Sequence, residues 1–343
     1  MSKFYHKTQI YDIINSMKIT DCHVHCSPEI SPEELAMFLK RTNTDSAVIQ
    51  AVAHSKKGPL VPIAFEMRRL FPETFYVFGA PNRDEYFKGS ENLGLRQREY
   101  IRKLIDEGMD GIKMLEGKPQ MRKAVPIPDF DDMCWEPFFK YVEEEQIPMM
   151  WHVNDPEKNW SGNASPWLVK QGWAYDETFI NNEEQYRQVL QVLENHPGIK
   201  AVFAHFFFMS GQLERLSAIL DKYKNVMVDL TPGIEMYENF SVDPETTKAF
   251  FDKYHDRICY GTDIGGRCIL TNEGMPFNEK ECERRPKIVR HFLEGKEEAL
   301  IESDGNFLVD RDAFVMKPLG LTGTRLEEIM GENIRKIIGH NPK

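Results

Sequence analysis

The sequence predicts an α/β protein built as a (β/α)8 TIM barrel, and three observations carry that expectation. Eight short runs read as strands, each ends in turn chemistry, and helical patterns alternate with them along the chain. The runs are nearly continuous in apolar residues, which suits burial on both faces of a parallel sheet. Strict alternation repeated eight times favours a closed barrel over an open sheet. The 343 residues are enough for one large barrel. No linker, low-complexity segment or second core interrupts residues 1–343, which read as a single domain.

The expected strands cover 18–26, 45–53, 74–82 and 109–115, then 147–154, 199–208, 225–233 and 257–265. Among the helices, SPEELAMFLKR opens with Ser31, Pro32 and Glu34, a capping box with proline in the first turn. GLRQREYIRKLIDEG, EPFFKYVEEEQ, NEEQYRQVLQVLENHPG and GQLERLSAILDKYK supply further amphipathic faces, and TRLEEIMGENIRKIIG closes the chain. Two connections are too long for ordinary loops. One follows the fifth strand and holds Trp160, Trp167 and Trp173; the other follows the eighth, from Gly265 to about Thr322. Both leave from strand C-termini, the face where barrel active sites sit, so both read as lids and pocket walls, with Trp160 as a substrate contact.

Composition narrows the partners. The net charge is −11 and there is no Lys/Arg-rich block, so a nucleic-acid partner gains little from counterion release. No apolar run approaches membrane-helix length, and the N-terminal MSKFYHKTQIYDIINSMK lacks a signal-peptide core. Cysteines 22, 26, 134, 259, 268 and 282 form no paired C-x-x-C units, as expected for reduced thiols in a cytoplasmic protein. The expected partner is a small molecule, with neither nucleic acid nor membrane; a homodimer is compatible with the sequence but required by no feature of it.

The stretch ITDCHVHC, from Ile19 to Cys26, raises the question of function. His23 and His25 are two apart on a strand, so both point to one side, while strict alternation turns Cys22 away. His152 ends the fifth strand, His205 the sixth, and Asp263 the eighth, in GTD. Five metal-competent or acid–base groups thus meet at one barrel mouth. A single interior histidine is usually structural, but burying this many without a task is costly. Three neutral imidazoles and a carboxylate suit one borderline divalent ion: zinc first, with manganese or iron also compatible.

The H-x-H of DCHVHC, the histidines of WHVND and AVFAH, and the aspartate of YGTDIG resemble the amidohydrolase superfamily. HPGIKAVFAHFFF, LSAILDKYKNVMVDLTPG and LEEIMGENIRKIIG most resemble its amidohydrolase-related branch. That branch includes aminocarboxymuconate-semialdehyde decarboxylase and related lactonases, hydratases and aryl-acid decarboxylases. The resemblance implies that His23, His25, His152 and Asp263 hold one metal. It also implies that His205 polarises the metal-bound water or orients a substrate oxygen, and that Asp263 doubles as proton acceptor. Lys113 lies where binuclear members carry a carboxylated, bridging lysine; the other readings are a cationic anchor for a substrate carboxylate and a barrel lysine paired with an acid such as Glu116. His54 and Arg267 complete the expected substrate-binding set, Arg267 as a bidentate clamp. One departure stands out: the family often has a glycine-containing turn after its strand-six histidine, whereas this chain has FFFMSG.

The leading expectation is a metal-dependent hydrolase whose metal-bound water attacks an ester, lactone or amide carbonyl of a small polar substrate. A second is a metal-dependent decarboxylase or hydratase acting on a small carboxylic acid. A third is a non-catalytic metal-binding scaffold, which leaves the extra acid–base groups unexplained.

Overall fold

The eight expected strands form one parallel sheet in chain order: β1 (Thr20–His25), β2 (Ser46–Ala51), β3 (Phe75–Gly79), β4 (Gly111–Gly117), β5 (Met149–Val153), β6 (Ala201–Phe203), β7 (Val226–Asp229) and β8 (Ile258–Cys259). These strands come from a computed structural model, which describes residues 17–54, 58–162, 164–170, 172–233, 235–265, 278–302 and 313–342. Backbone bonds from Cys22 N to Tyr260 O (2.9 Å) and from His25 N to Ile264 O (2.8 Å) join the first strand to the residues just beyond the last and nearly close the barrel. The helices between are α1 (Pro32–Arg41), α2 (Val61–Leu70), α3 (Leu93–Asp106), α4 (Glu136–Glu144), α5 (Asn182–Asn195), α6 (Leu213–Lys222) and α7 (Pro244–Tyr254). The expected capping box is present: Glu34 N donates to Ser31 Oγ at 3.2 Å, and Ser31 N donates to Glu34 Oε2 at 2.9 Å.

The apolar core has two layers. The larger lies between sheet and helices; the smaller fills the barrel with Cys22, Val48, Tyr76, Phe78, Met150, Val202 and Cys259. The connection after β8 contains its own helix, α8 (Glu279–Glu294), and an antiparallel pair, Ala299–Glu302 with Ala313–Met316. The last helix departs from expectation. It breaks into a helical turn (Thr324–Glu327), a π turn (Glu328–Glu332) and α9 (Asn333–Ile338). The wider turn brings Gly331 against β1, where a Cβ would lie 2.8 Å from Thr20 N. Ile334, Ile337 and Ile338 of α9 then join the inner cluster. None of the helices among the described residues is long and apolar enough to cross a membrane.

Cys22 also departs from strict alternation. The β1–β2 register runs Asp21↔Ala47 and then Val24↔Ile49, so β1 carries one extra residue. That bulge lets neighbouring residues face the same way. Cys22 consequently faces the barrel interior, its Sγ 4.0 Å from Asp229 Oδ2, instead of turning away from the histidines.

β4 ends where it must pass very close to β5. A Cβ on Gly117 would sit 2.2 Å from His152 O and 2.8 Å from Val153 Cα, both backbone atoms. Gly117→Ala should therefore push the strands apart and cost about 1–3 kcal/mol, the usual penalty for overpacking. Urea unfolding should show the loss as a lower midpoint with an unchanged slope.

Candidate metal centre

The barrel mouth is assembled by strand ends and the first residues beyond them. β1 presents His23 and His25, and the turn after β8 presents Asp263, which has φ +57°. His23, His25 and Asp263 each offer a ligand atom within 4.8 Å of the others. Asp263 Oδ1 lies 3.1 Å from His25 Nε2 and 3.8 Å from His23 Nε2. All three side chains are buried, and two imidazoles with one carboxylate are ligands that suit a divalent cation.

The other expected histidines complete a chain of rings. The His23 centroid is 5.2 Å from that of His25 and 5.5 Å from that of His205; His205 is in turn 5.0 Å from His152. His152 thus stands next to His205, outside the tight three-residue group, with its Nε2 3.4 Å from Asp155 Oδ1. Burial holds the imidazoles of His23, His152 and His205 below their ordinary value. For His23 the Lys113 ammonium adds to that effect, and for His205 its neighbour His152 does. Each shift favours the neutral ring, the state in which an imidazole can ligate.

Lys113, at an inward position of β4, is buried, and its Nζ lies 2.9 Å from His23 Nε2. The carboxylate that orients His23 is Asp229, at the end of β7. His23 Nδ1 donates to Asp229 Oδ2 at 2.8 Å, which leaves Nε2 as the lone-pair nitrogen facing the cluster. Asp229 Oδ1 accepts from His205 N at 2.7 Å and Thr231 N at 3.1 Å. Behind it, Asp21 Oδ1 accepts from His23 N at 3.0 Å and Thr262 N at 3.2 Å, and the Thr262 hydroxyl donates to its other oxygen. Burial pushes the Asp21 carboxyl up to about 7.

The segment expected as a sixth strand through residue 208 stops at Phe203. His205, Phe206, Phe207 and Phe208 instead have φ of +55°, +56°, +58° and +53°. A left-handed turn costs an L-residue roughly 1–2 kcal/mol per position, which is why glycine suits it. Here ring packing offsets the cost. Phe206 packs edge-on to Phe240 at 4.8 Å, Phe207 stacks on Phe203 at 3.9 Å, and Phe208 stacks on His205 at 5.0 Å. Phe208 also comes within 5.3 Å of His152, so it walls the histidine cluster.

A model of the amidohydrolase family matches residues 20–339. The chain belongs to that family. No curated protein matches its sequence. Solved structures share the fold at low identity. A probable 2-pyrone-4,6-dicarboxylic acid hydrolase from Acinetobacter baumannii, with citric acid bound, has TM-score 0.54 and 12% identity over 94% of this chain and 100% of its own. A 2,6-dihydroxybenzoate decarboxylase from Rhizobium has TM-score 0.55 and 12% identity over 94% and 99%. A 4-oxalomesaconate hydratase from Rhodopseudomonas palustris has TM-score 0.52 and 14% identity over 94% and 95%. The family is one of metal-dependent enzymes, and this chain is a member of it.

His54, Arg267 and Trp160 were the other expected site residues. The backbone of His54 pairs with Gly58 in an antiparallel pair of two-residue strands, but its side chain lies outside the described residues, as does the whole of Arg267. Trp160 is half-buried within the insertion after β5, its ring 4.7 Å from Tyr175 and its Nε1 donating to Ile180 O at 3.1 Å. This insertion is tied to the mouth through Asp155. Lys118 Nζ lies 2.8 Å from Asp155 Oδ1, and the Tyr175 hydroxyl donates to Oδ2. Three residues were missed from sequence: Asp229, Asp155 and Arg285 of α8, whose Nη1 lies 3.1 Å from Asp263 Oδ2. Asp229 had a signal, as a lone carboxylate closing the apolar run NVMVD; Arg285 had none, being one of several cations on its helix.

Glu116, also on β4, is buried and pushed up to about 7 by desolvation, with the Tyr86 hydroxyl opposing in part. In the unfolded chain it titrates near 4.3. The folded protein therefore keeps this proton to higher pH, and stability is lost as pH rises from about 4.3 towards 7. Glu116→Gln should remove that component. Melting temperatures across this window should fall less with rising pH in the variant than in the wild type; parallel curves would refute the assignment.

Proposed function

We propose that the protein is a metal-dependent hydrolase that adds water to an ester, lactone or amide carbonyl of a small carboxylate-bearing molecule. The observation that carries this reading is the convergence of His23, His25 and Asp263 ligand atoms within 4.8 Å, with the His205 ring beside His23. These residues would hold one divalent ion with His152 as the fourth ligand, and the donor set suits zinc first, then manganese or iron. Such an ion supplies a Lewis acid and brings the pKa of water to about 7.

The protein's own groups do the rest. Asp263 accepts the proton of the attacking water, a task for which a weak carboxylate base suffices. His205 orients the substrate oxygen from the neighbouring ring position. Lys113 brings a buried positive charge to the cluster, which favours an anionic substrate over a neutral amide. The carboxylates that give the similar hydrolase, decarboxylase and hydratase their names are of that class.

A second reading keeps the site and changes the bond broken. Phe208 stacked on His205 and close to His152 offers an aromatic wall beside a cation, which suits decarboxylation of an aryl acid. There Asp263 would return a proton to ring carbon as carbon dioxide leaves.

Metal-loaded protein incubated with a lactone and ester panel and with hydroxybenzoates separates the two. Proton release from the first supports hydrolysis, carbon dioxide from the second supports the lyase, and silence on both favours a scaffold. His205→Ala should keep metal stoichiometry near wild type while turnover falls about a hundredfold or more. Asp263→Asn should abolish turnover to a similar or larger degree, and metal analysis of the same preparation should show a bound ion retained by the three histidines.

A further inference from the structure

Arg285 is one of the largest fully buried side chains in the protein, and it reaches from α8 to the back of Asp263. Its Nη1 lies 2.8 Å from Asp263 O, 3.1 Å from Asp263 Oδ2 and 3.4 Å from Thr262 O. Its Nη2 lies 3.1 Å from Glu281 Oε1, one helical turn earlier on α8. Glu281 is placed in turn by the helix start, where its backbone N donates to Asn278 Oδ1 at 3.2 Å.

A permanent cation buried beside a cation-binding cluster is a puzzle. Guanidinium burial costs several kcal/mol unless it is fully paired, and like charge repels an incoming ion. The contacts resolve it. The guanidinium takes Oδ2, which leaves Oδ1 as the oxygen facing His25 and His23. The same nitrogen binds the carbonyl of Asp263, whose φ of +57° is an uncommon backbone state that needs such a restraint.

We infer that Arg285 is a positioning residue that fixes Asp263 as a one-oxygen donor to the cation at the barrel mouth, with Glu281 orienting the guanidinium. This rests on the metal reading proposed above. It also places the restraint on Asp263 on α8, within the long connection after β8.

Titration of the apo-protein with cobalt(II), followed by visible absorption, tests the inference without a substrate. Arg285→Met should weaken cobalt binding about 10–100-fold, the usual loss for an outer-shell partner, and should change the absorption band because Asp263 can then bind through both oxygens. Arg285→Lys should recover part of the affinity, since it restores the charge but not the fork. Glu281→Gln should give a smaller loss in the same direction. Wild-type affinity and an unchanged band in Arg285→Met, even with a lowered melting temperature, would make the ion pair purely structural and overturn the inference. If that variant does not fold, unchanged binding in both Arg285→Lys and Glu281→Gln overturns it equally. Failure of the wild type itself to take up cobalt would instead remove the metal reading beneath it.

Discussion

The carboxylate of Asp229 ties three parts of the site together. One oxygen takes the Nδ1 proton of His23 and so sets which nitrogen faces the cluster; the other takes the amides of His205 and Thr231. Strand β7 thereby fixes a ring on β1 and the turn after β6 in one geometry. Burial raises the Asp229 carboxyl above its ordinary value, opposed in part by His205 and Lys113 beside it. Removing this group would leave a histidine without its tautomer and a strained turn without its anchor.

Charge at the mouth is arranged in opposed pairs. Asp263 has histidines on one oxygen and Arg285 on the other, and Asp155 stands between His152 and Lys118. Buried ions in such number persist only where each has a partner of opposite sign or a hydrogen bond to its charged atoms. The two long connections enter this arrangement directly, one through Tyr175 and the other through Arg285. Their attachment gives a physical reason for insertions on the C-terminal face of the barrel to shape both the substrate pocket and the centre beneath it.

The barrel was legible because its signals are local: eight apolar runs, alternating helices and a capping box at Ser31 all lie within short windows. That His23, His25 and Asp263 come to one mouth was legible in part, since each lies near a strand end, although the bulge in β1 and the turn at His205 were not. What escaped depends on tertiary contact. The bulge that turns Cys22 inward is one extra residue with no sequence mark, and Arg285 looks like any helical cation until α8 is docked. The run 199–208 read as strand because its residues favour extended backbone, yet capture of the His205 amide by Asp229 bends it instead.

The left-handed phenylalanine turn has an evolutionary consequence. Replacing one ring by glycine would relax the torsion at that position but empty a filled pocket; keeping the ring preserves packing at a conformational penalty. Neither half-step is neutral, so these three positions are constrained to drift together. Descendants of this chain should divide into lineages that retain the whole aromatic triplet and lineages that have exchanged it wholesale, with few intermediates surviving between.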